Sequence, residues 1–239
     1  MRYRLSFILS VLILILFQFN LLGQKQKPKN ESWYDDKLLH FGFSLGFNAM
    51  DFDITPSQQY YKVDSLYPEV SRLNPGINIQ IVTDLRPANH LDIRFLPGVS
   101  FGQRNIRYYK NKVLYNVQQR LESSFLEFPL LLKYKGNRLN NVRPYVITGL
   151  NYRYDLAAKK ELIPTDSPVY IRIKRPDLYY EMGAGLDFYL TYFKLSVELK
   201  MSNGLRNVIV DDAPADYEQY RNAIEKMKSQ IWVLSFHFE

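Results

Sequence analysis

The stretch 178–201, LYYEMGAGLDFYLTYFKLSVELKM, contains two segments in which apolar and polar side chains alternate, with a short turn between them. In the first segment, one face carries Leu178, Tyr180, Met182, Ala184, Leu186, Phe188 and Leu190. After the turn the alternation restarts, and one face carries Phe193, Leu195, Val197, Leu199 and Met201. The period is two residues, which indicates β-strands, because an amphipathic helix repeats about every 3.6 residues.

The opposite face of this hairpin carries glycines and the charged residues Glu181, Asp187, Lys194, Glu198 and Lys200. Each strand is about as long as the ~9–11 tilted residues with which a β-strand crosses a membrane. A soluble sheet would turn its charged face to water and its apolar face to a core. We instead expect lipid against the apolar face and a narrow polar interior behind the charged one.

The composition allows one sizeable barrel and excludes several kinds of site. The chain has 239 residues, and its 15% aromatic content, with 19 tyrosines, is typical of aromatic girdles at membrane interfaces. The absence of cysteine excludes disulfides, cysteine nucleophiles, thiolate metal sites and lipoprotein anchoring. The net charge of +7 comes without a dense basic run, so we expect no nucleic-acid partner. No nucleophile elbow, phosphate loop or zinc motif occurs, and we expect no catalytic residue, cofactor, metal or small-molecule substrate.

The first 23 residues have the pattern of an export signal peptide. A positively charged start precedes the apolar run 5–17, and Gly23 precedes a polar segment, so cleavage is expected after Gly23. An uncleaved membrane anchor is the alternative. Residues 24–37, QKQKPKNESWYDDK, are polar and aperiodic and predict a short periplasmic tail. The barrel is then expected over residues 38–239.

Alternation along the whole chain predicts eight strands. They cover residues 38–48, a segment marked by Ile77, Ile79 and Ile81, and residues 91–102, 123–134, 144–154, 178–190, 193–201 and 230–238. Pro97 lacks a ladder donor and predicts a bulge or kink. Residues 84–90 predict a short turn, and residues 217–228 predict two or three helical turns.

The connections between these strands run about 27, 6, 20, 9, 23, 2 and 27 residues, which is a strict alternation of long and short. Short periplasmic turns and long external loops give this pattern in outer-membrane barrels. We therefore predict an all-β protein: an eight-stranded antiparallel up-and-down transmembrane barrel with a short helix in its last long loop. Both chain termini are then expected in the periplasm of a Gram-negative bacterium.

The inward faces of the predicted strands carry equal numbers of acids and bases. They are Asp92, Glu127, Glu181, Asp187 and Glu198 against Arg94, Lys133, Arg153, Lys194 and Lys200. Buried charges require partners of opposite sign. Because side chains fill an eight-stranded barrel, we predict an interior ion-pair network and a plugged barrel without an open pore.

Two other sets of residues allow a functional and a structural interpretation. His40 and His237 face inward on the first and last strands, where they either form a metal or acid–base pair or join a hydrogen-bonded interior network. Asp211, Asp212 and Asp216 carry oxygen ligands suited to a cation but lack the spacing of a ligand loop.

Several strings resemble those of a known family. They are 126–134 (LEFPLLLKY), Arg143-Pro144-Tyr145 with Gly149, 183–187 (GAGLD), and 202–205 (SNGL) with Asn207. Over nearly the whole mature chain, they resemble the eight-stranded outer-membrane barrels of the PorT/SprT type. The family-like positions are Glu127, Pro129, Lys133, Tyr134, Gly183, Gly185, Asp187, Ser202, Gly204 and Asn207. The first and third strings are shared by a wider superfamily of barrels, whereas the PorT branch rests on chain length, the long final loop and the SNGL string.

The resemblance implies a non-enzymatic component of type IX protein secretion and gliding motility. Its partners would be outer-membrane lipid and other proteins of the secretion system. This sequence departs from the usual ending of such barrels, because Glu239 follows the aromatic Phe238. Two alternatives remain open. One is an adhesin-like surface barrel whose basic, tyrosine-rich loops 103–122 and 155–177 bind a ligand, and the other is a soluble calycin-like barrel with its apolar faces inside.

Overall fold

The computed structural model describes residues 30–58, 66–71, 74–110, 113–158, 171–210 and 218–239. The predicted signal peptide 1–23, the first part of the predicted tail and the aspartates at 211, 212 and 216 lie outside the described residues. Within the ranges described, no helix is both long and apolar enough to cross a membrane.

The described residues form one antiparallel sheet of ten strands and two short helices. The strands are β1 (Leu39–Pro56), β2 (Leu66–Ser71), β3 (Pro75–Ala88), β4 (Leu91–Phe95), β5 (Gly98–Lys110), β6 (Val113–Lys135), β7 (Val142–Asp155), β8 (Pro176–Tyr189), β9 (Lys194–Gly204) and β10 (Ile224–Phe238). A 3-10 helix, Ser32–Asp36, precedes β1, and the helix α1 (Glu218–Asn222) precedes β10.

The strand pairings close into a ring of eight positions. β1 pairs with β10 on one side and with β3 on the other. From β10 the ring continues through β9, β8 and β7 to β6. β4 and β5 both pair with β3 and with β6, so together they occupy one position. The eight-stranded up-and-down barrel predicted from the alternation is therefore confirmed.

The interruption between β4 and β5 falls at Leu96 and Pro97, where the sequence predicts a bulge or kink. Pro97 has no N–H to donate to the ladder, but its carbonyl accepts from Ile81 N–H at 2.9 Å. β2 extends the strand position of β3: it pairs with the end of β5, from Leu66 opposite Lys110 to Ser71 opposite Asn105, next to the β3–β5 pairs that begin at Ile77 opposite Phe101.

The two faces of the barrel wall follow the predicted alternation. Large apolar side chains are exposed on the outward face, among them Phe41, Phe47, Ile81, Leu130, Val146, Leu199 and Trp232. The inward face carries buried polar side chains, among them Ser44, Asn48, Asn78, Asn151, Ser202 and Ser235. A soluble barrel would have the opposite arrangement, so the soluble alternative is not supported by the fold.

Three local predictions are wrong, because the strands continue further than the alternation indicates. The long loop predicted over 103–122 is mostly strand, since β5 continues to Lys110 and β6 begins at Val113. The turn predicted at 84–90 is limited to Asn89 and His90, since β3 continues to Ala88 and pairs with β4. The helix predicted over 217–228 has only five residues, because β10 begins at Ile224 and Ile54 of β1 pairs with Met227.

Candidate functional site in the barrel interior

The first group of interior charges, the central cluster, consists of Glu127 on β6, Arg153 on β7, Glu181 on β8 and Lys200 on β9. Arg153 Nε lies 2.9 Å from Glu127 Oε1, its register partner across the strands. Arg153 Nη2 donates to Glu181 Oε1 at 3.0 Å, and Lys200 Nζ lies 2.8 Å from Glu181 Oε2. Acids and bases therefore alternate along four neighbouring strands, which offsets the cost of burying each charge.

Neutral polar side chains add hydrogen bonds to both carboxylates of the central cluster. Gln80 Nε2 donates to Glu127 Oε2 at 2.8 Å. Asn151 Nδ2 and Ser202 Oγ donate to Glu181 Oε1 at 2.8 and 2.9 Å. A buried carboxylate is stable only when it is paired and hydrogen-bonded, and these donors provide the hydrogen bonds.

The second group, the terminal cluster, lies near the end of the barrel where the helix Ser32–Asp36 and Glu239 are located. Its members are Asp84, Arg94, Lys133, Asp187, Lys194, Glu198 and Glu239. Arg94 forms a bidentate pair with Asp84, with Nε–Oδ1 at 2.7 Å and Nη2–Oδ2 at 2.6 Å. Arg94 also contacts Glu239 Oε1 at 3.0 Å and Glu198 Oε2 at 3.4 Å. One guanidinium thus joins three carboxylates from three different parts of the chain.

Two lysines extend the terminal cluster across the interior. Lys133 Nζ on β6 donates to Asp187 Oδ1 on β8 at 2.9 Å. These two strands are separated by β7, whose Tyr145 ring centroid lies 3.9 Å from Lys133 Nζ. Lys194 Nζ donates to Glu239 Oε2 at 2.8 Å. With the Arg94–Glu198 contact between opposite sides of the ring, these side chains occupy the space where a pore would otherwise run.

The structure buries all ten charged residues that the sequence places in the interior: Asp92, Arg94, Glu127, Lys133, Arg153, Glu181, Asp187, Lys194, Glu198 and Lys200. Asp92 pairs with Lys135, whose Nζ lies 2.5 Å from Asp92 Oδ1. Sequence reasoning missed Asp84, Lys135 and the interior position of Glu239. Asp84 and Glu239 are in the inward phase of their strands, so continuing the alternation past the predicted ends would have found them.

The family-like residues fall on both faces of the wall. Tyr134 faces outward, whereas Pro129, Gly183, Gly185, Ser202 and Gly204 belong to the inward alternation. At Gly185 a Cβ atom would lie 2.5 Å from the Tyr145 ring, so glycine makes room for that ring. Asn207 Oδ1 accepts from Met227 N–H at 3.1 Å and so ties the segment after β9 to β10.

The two interior histidines have different neighbours and do not form a pair. His237 is opposite Ser44 in the register, and its Nε2 lies 3.5 Å from Glu198 Oε2. The ring of His40 stacks on Tyr34, with centroids 4.0 Å apart. In the part of the chain that the structure describes, no three His, Asp or Glu side chains are placed so that they could hold a metal ion.

Residues 30–37 cover the end of the barrel next to the terminal cluster, which we name the terminal mouth. Tyr34, from the 3-10 helix, is buried there, and its hydroxyl donates to Glu239 Oε2 at 2.8 Å. Burial raises the pKa of the Tyr34 phenol well above its ordinary value, so the phenol keeps its proton and acts as a donor. Asp35 contacts arginines of the rim, with Arg143 Nη1 at 2.9 Å and Arg86 Nη1 at 3.3 Å.

The opposite end of the barrel contains a buried apolar cluster, which we name the distal cap. Its residues are Phe52, Val70, Ile106, Tyr108, Ile171, Val208, Ile209, Tyr220, Ala223, Ile224 and Met227. Beneath the distal cap lies Arg104, whose Nη1 donates to Ser229 Oγ at 2.9 Å and whose Cζ lies 4.1 Å from the Phe52 ring centroid. Polar clusters thus occupy the interior, and packed side chains occupy both ends.

A closed ring with an apolar exterior and a charged, filled interior defines a small outer-membrane-type β-barrel. A family model described as "Outer membrane protein beta-barrel domain" matches residues 23–210. The chain belongs to this outer-membrane β-barrel family. Among curated proteins, none matches the chain.

Solved structures of small outer-membrane barrels are similar to this chain at low identity. OprG from Pseudomonas aeruginosa has a TM-score of 0.49 and 13% identity, covering 83% of this chain and 94% of that chain. Neisserial surface protein A has a TM-score of 0.41 and 10% identity, covering 84% of this chain and 99% of that chain. Ail, the attachment invasion locus protein of Yersinia pestis, has a TM-score of 0.36 and 11% identity, covering 83% of this chain and 96% of that chain.

Proposed function

We propose that the protein is a non-enzymatic outer-membrane component of type IX protein secretion and gliding motility, acting as an assembly or translocon accessory. The observation that carries the accessory role is the filled interior. Arg94 on β4 contacts Glu198 on β9, on the opposite side of the ring, at 3.4 Å, and both ends are occupied by packed side chains. Such a barrel leaves no room for a cargo protein to pass through it. A role in secretion would then depend on its surfaces, in contact with other secretion-system proteins.

The secretion branch of the proposal rests on the resemblance to PorT/SprT-type barrels, in particular on residues 202–205 with Asn207. Residues 202–204 end β9, and Asn207 holds the segment after β9 against β10, so this string lies where the chain leaves the sheet for the last long connection. In the proposed orientation, both termini and the short turns face the periplasm, whereas the long connections face outward. The protein would thus present the terminal mouth to periplasmic partners.

Deletion of the gene tests this proposal. The mutant should accumulate type IX cargo in the periplasm and lose cell-surface cargo, and a plasmid copy should restore secretion. A matched complementation uses a chain shortened within 159–170, between Ala158 and the distal-cap residue Ile171, which should also restore secretion if the periplasmic side carries the function. Normal cargo secretion by the deletion strain would rule the proposal out.

A second candidate is a surface barrel that binds a ligand through its loops. It is favoured by the long barrel wall away from the chain termini, where β2 pairs with the basic, tyrosine-rich end of β5. The shortened chain separates the two candidates. A ligand-binding barrel would lose attachment to its ligand on loop shortening, whereas a secretion accessory that acts on its periplasmic side would keep its activity.

A further inference from the structure

The segment 30–37 contacts the barrel as a bound peptide would. The ring of eight strand positions closes without it, since β1 begins at Leu39. Its backbone folds on itself, with Tyr34 N–H donating to Glu31 O at 3.1 Å and Lys37 N–H donating to Tyr34 O at 3.4 Å. The segment is held at the terminal mouth by the side chains of Tyr34 and Asp35 and by the backbone of Asn30, whose N–H donates to Asn141 Oδ1 at 2.9 Å and whose carbonyl accepts from Arg138 Nη2. A short peptide is recognised by a preformed site in the same way.

The first half of this site is an aromatic pocket that accepts Tyr34. The Tyr34 ring stacks on His40 and meets the Tyr189 ring edge-on, with centroids 5.9 Å apart. Lys194 Nζ lies 4.5 Å from the Tyr34 ring centroid. The Tyr34 hydroxyl donates a hydrogen bond to Glu239 Oε2, with 2.8 Å between the two oxygens. The Tyr34 ring thus contacts two aromatic rings and an ammonium group, and its hydroxyl group has an acceptor. A tyrosine with an apolar body and a polar tip meets all of these contacts.

The second half is an arginine clamp that accepts Asp35. Arg143 Nη1 lies 2.9 Å and Arg86 Nη1 3.3 Å from Asp35 Oδ1, and Arg138 Nη1 lies 3.5 Å from Asp35 Oδ2. The three arginine side chains are nearly buried, with 4–9% of their surface exposed. Within the described part of the chain, the ion pairs of all three go to Asp35.

The clamp is fixed in place by the rim of the barrel. Arg143 Nε donates to Gly136 O at 2.9 Å and its Nη2 to Asn89 O at 3.0 Å. Arg138 Nε donates to Asn140 O at 3.0 Å. These carbonyls belong to the rim turns, so the guanidinium groups keep their positions independently of Asp35. Three guanidinium groups around one carboxylate, two of them held by rim carbonyls, leave an excess of positive charge, which favours an acidic ligand.

We propose that the terminal mouth is a peptide-binding site for a tyrosine followed by an acidic residue, and that Tyr34 and Asp35 of the chain itself are its resident occupants. A partner protein with an exposed segment of this chemistry binds by displacing residues 30–37 from the pocket and the clamp. The inference goes beyond the proposed function, since it assigns a site and a ligand chemistry that any partner on this side of the barrel can use.

A binding measurement with the full-length protein in detergent tests the site. The variant Tyr34→Ala/Asp35→Asn removes the two anchoring groups and leaves the pocket and clamp intact. The probe is a fluorescein-labelled peptide of residues 30–37, NESWYDDK, followed by fluorescence anisotropy. We expect this variant to bind the probe at least tenfold more tightly than the wild-type chain, because a tethered occupant competes at an effective concentration of about millimolar.

Two controls make the result specific. We call the Tyr34→Ala/Asp35→Asn protein the vacated chain. A probe with the same two substitutions should bind the vacated chain at least tenfold more weakly than the unmodified probe does. Adding Arg143→Ala to the vacated chain should weaken the unmodified probe by a similar factor. The proposal would be overturned if the vacated chain bound both probes with equal affinity. It would also be overturned if the vacated chain bound no probe while keeping the heat-modifiable gel mobility of a folded barrel.

A second measurement remains available if the double variant does not fold. In the wild-type chain, hydrogen exchange of residues 31–37 is compared with and without excess unlabelled peptide. Displacement predicts at least tenfold faster exchange in this segment when the peptide is present, with the strands unchanged. Unchanged exchange at a saturating peptide concentration would contradict displacement.

Discussion

At the scale of the residue, Lys133 shows what holds the interior together. Its ammonium group is buried, donates to Asp187 Oδ1 at 2.9 Å and lies over the Tyr145 ring. Asp187 receives a further hydrogen bond from Ser196 Oγ at 2.6 Å. A buried pair of this kind contributes little net stability relative to apolar residues, but removal of one partner leaves an uncompensated charge.

The substitution Lys133→Met tests this account, because it keeps the length of the side chain and removes the charge. We expect a loss of about 3–5 kcal/mol in the free energy of unfolding, since Asp187 then stays buried without its cation. The double variant Lys133→Met/Asp187→Asn should recover a large part of that loss. The measurement is urea-induced unfolding in lipid vesicles, and equal losses in the single and double variants would contradict the pairing.

The charged interior could be predicted residue by residue where the alternation is strong, because an inward phase assigns each charge to the interior. The partners could not be predicted in the same way. Arg94 pairs with Asp84 across a hairpin that continues past the predicted turn, and with Glu239 only because the ring closes. Contacts such as Lys133 to Asp187 cross an intervening strand, and no spacing along the chain encodes that distance.

At the scale of the element, the phase of every predicted strand agrees with the structure, whereas the strand ends do not. β1 extends to Pro56, and its outer part pairs Asp53 with Lys228 and Thr55 with Lys226 of β10. Where a strand leaves lipid, its outward face can be polar while the backbone ladder continues. The apolar–polar alternation then disappears before the strand ends, so sequence reasoning stops too early.

A pair of arginine substitutions tests the position of the lipid-facing belt. Leu199 lies in the middle of β9 and faces outward, while Leu205 is similarly exposed just beyond the end of β9. Leu199→Arg should destabilise the barrel by about 2–4 kcal/mol, and Leu205→Arg by about 0–1 kcal/mol, because the cost of a charge falls from the bilayer midplane to its interface. Unfolding in lipid vesicles measures both, and equal costs would contradict the assignment of the belt.

At the scale of the whole molecule, the barrel is a closed wall whose interior is occupied by its own side chains. The ring closes between the first and last strands, and the first strand also carries the segment that covers the terminal mouth. The sequence predicts the ring from the alternation of long and short connections. It predicts only a polar tail for residues 24–37, because a segment held by Tyr34 and Asp35 has no periodic pattern to reveal its contacts.

Cysteine cross-linking tests the closed ring most directly, because the natural chain contains no cysteine. Phe47 of β1 and Leu234 of β10 are outward-facing register partners, and Leu199 is the partner of Leu234 one strand further along. Neighbouring strands are about 4.8 Å apart, so two strands separate Phe47 from Leu199 by roughly twice that distance. On mild oxidation in membranes, the Phe47→Cys/Leu234→Cys chain should form an intramolecular disulfide, whereas the Phe47→Cys/Leu199→Cys chain should not. Absence of the first cross-link in folded protein would contradict the closed barrel.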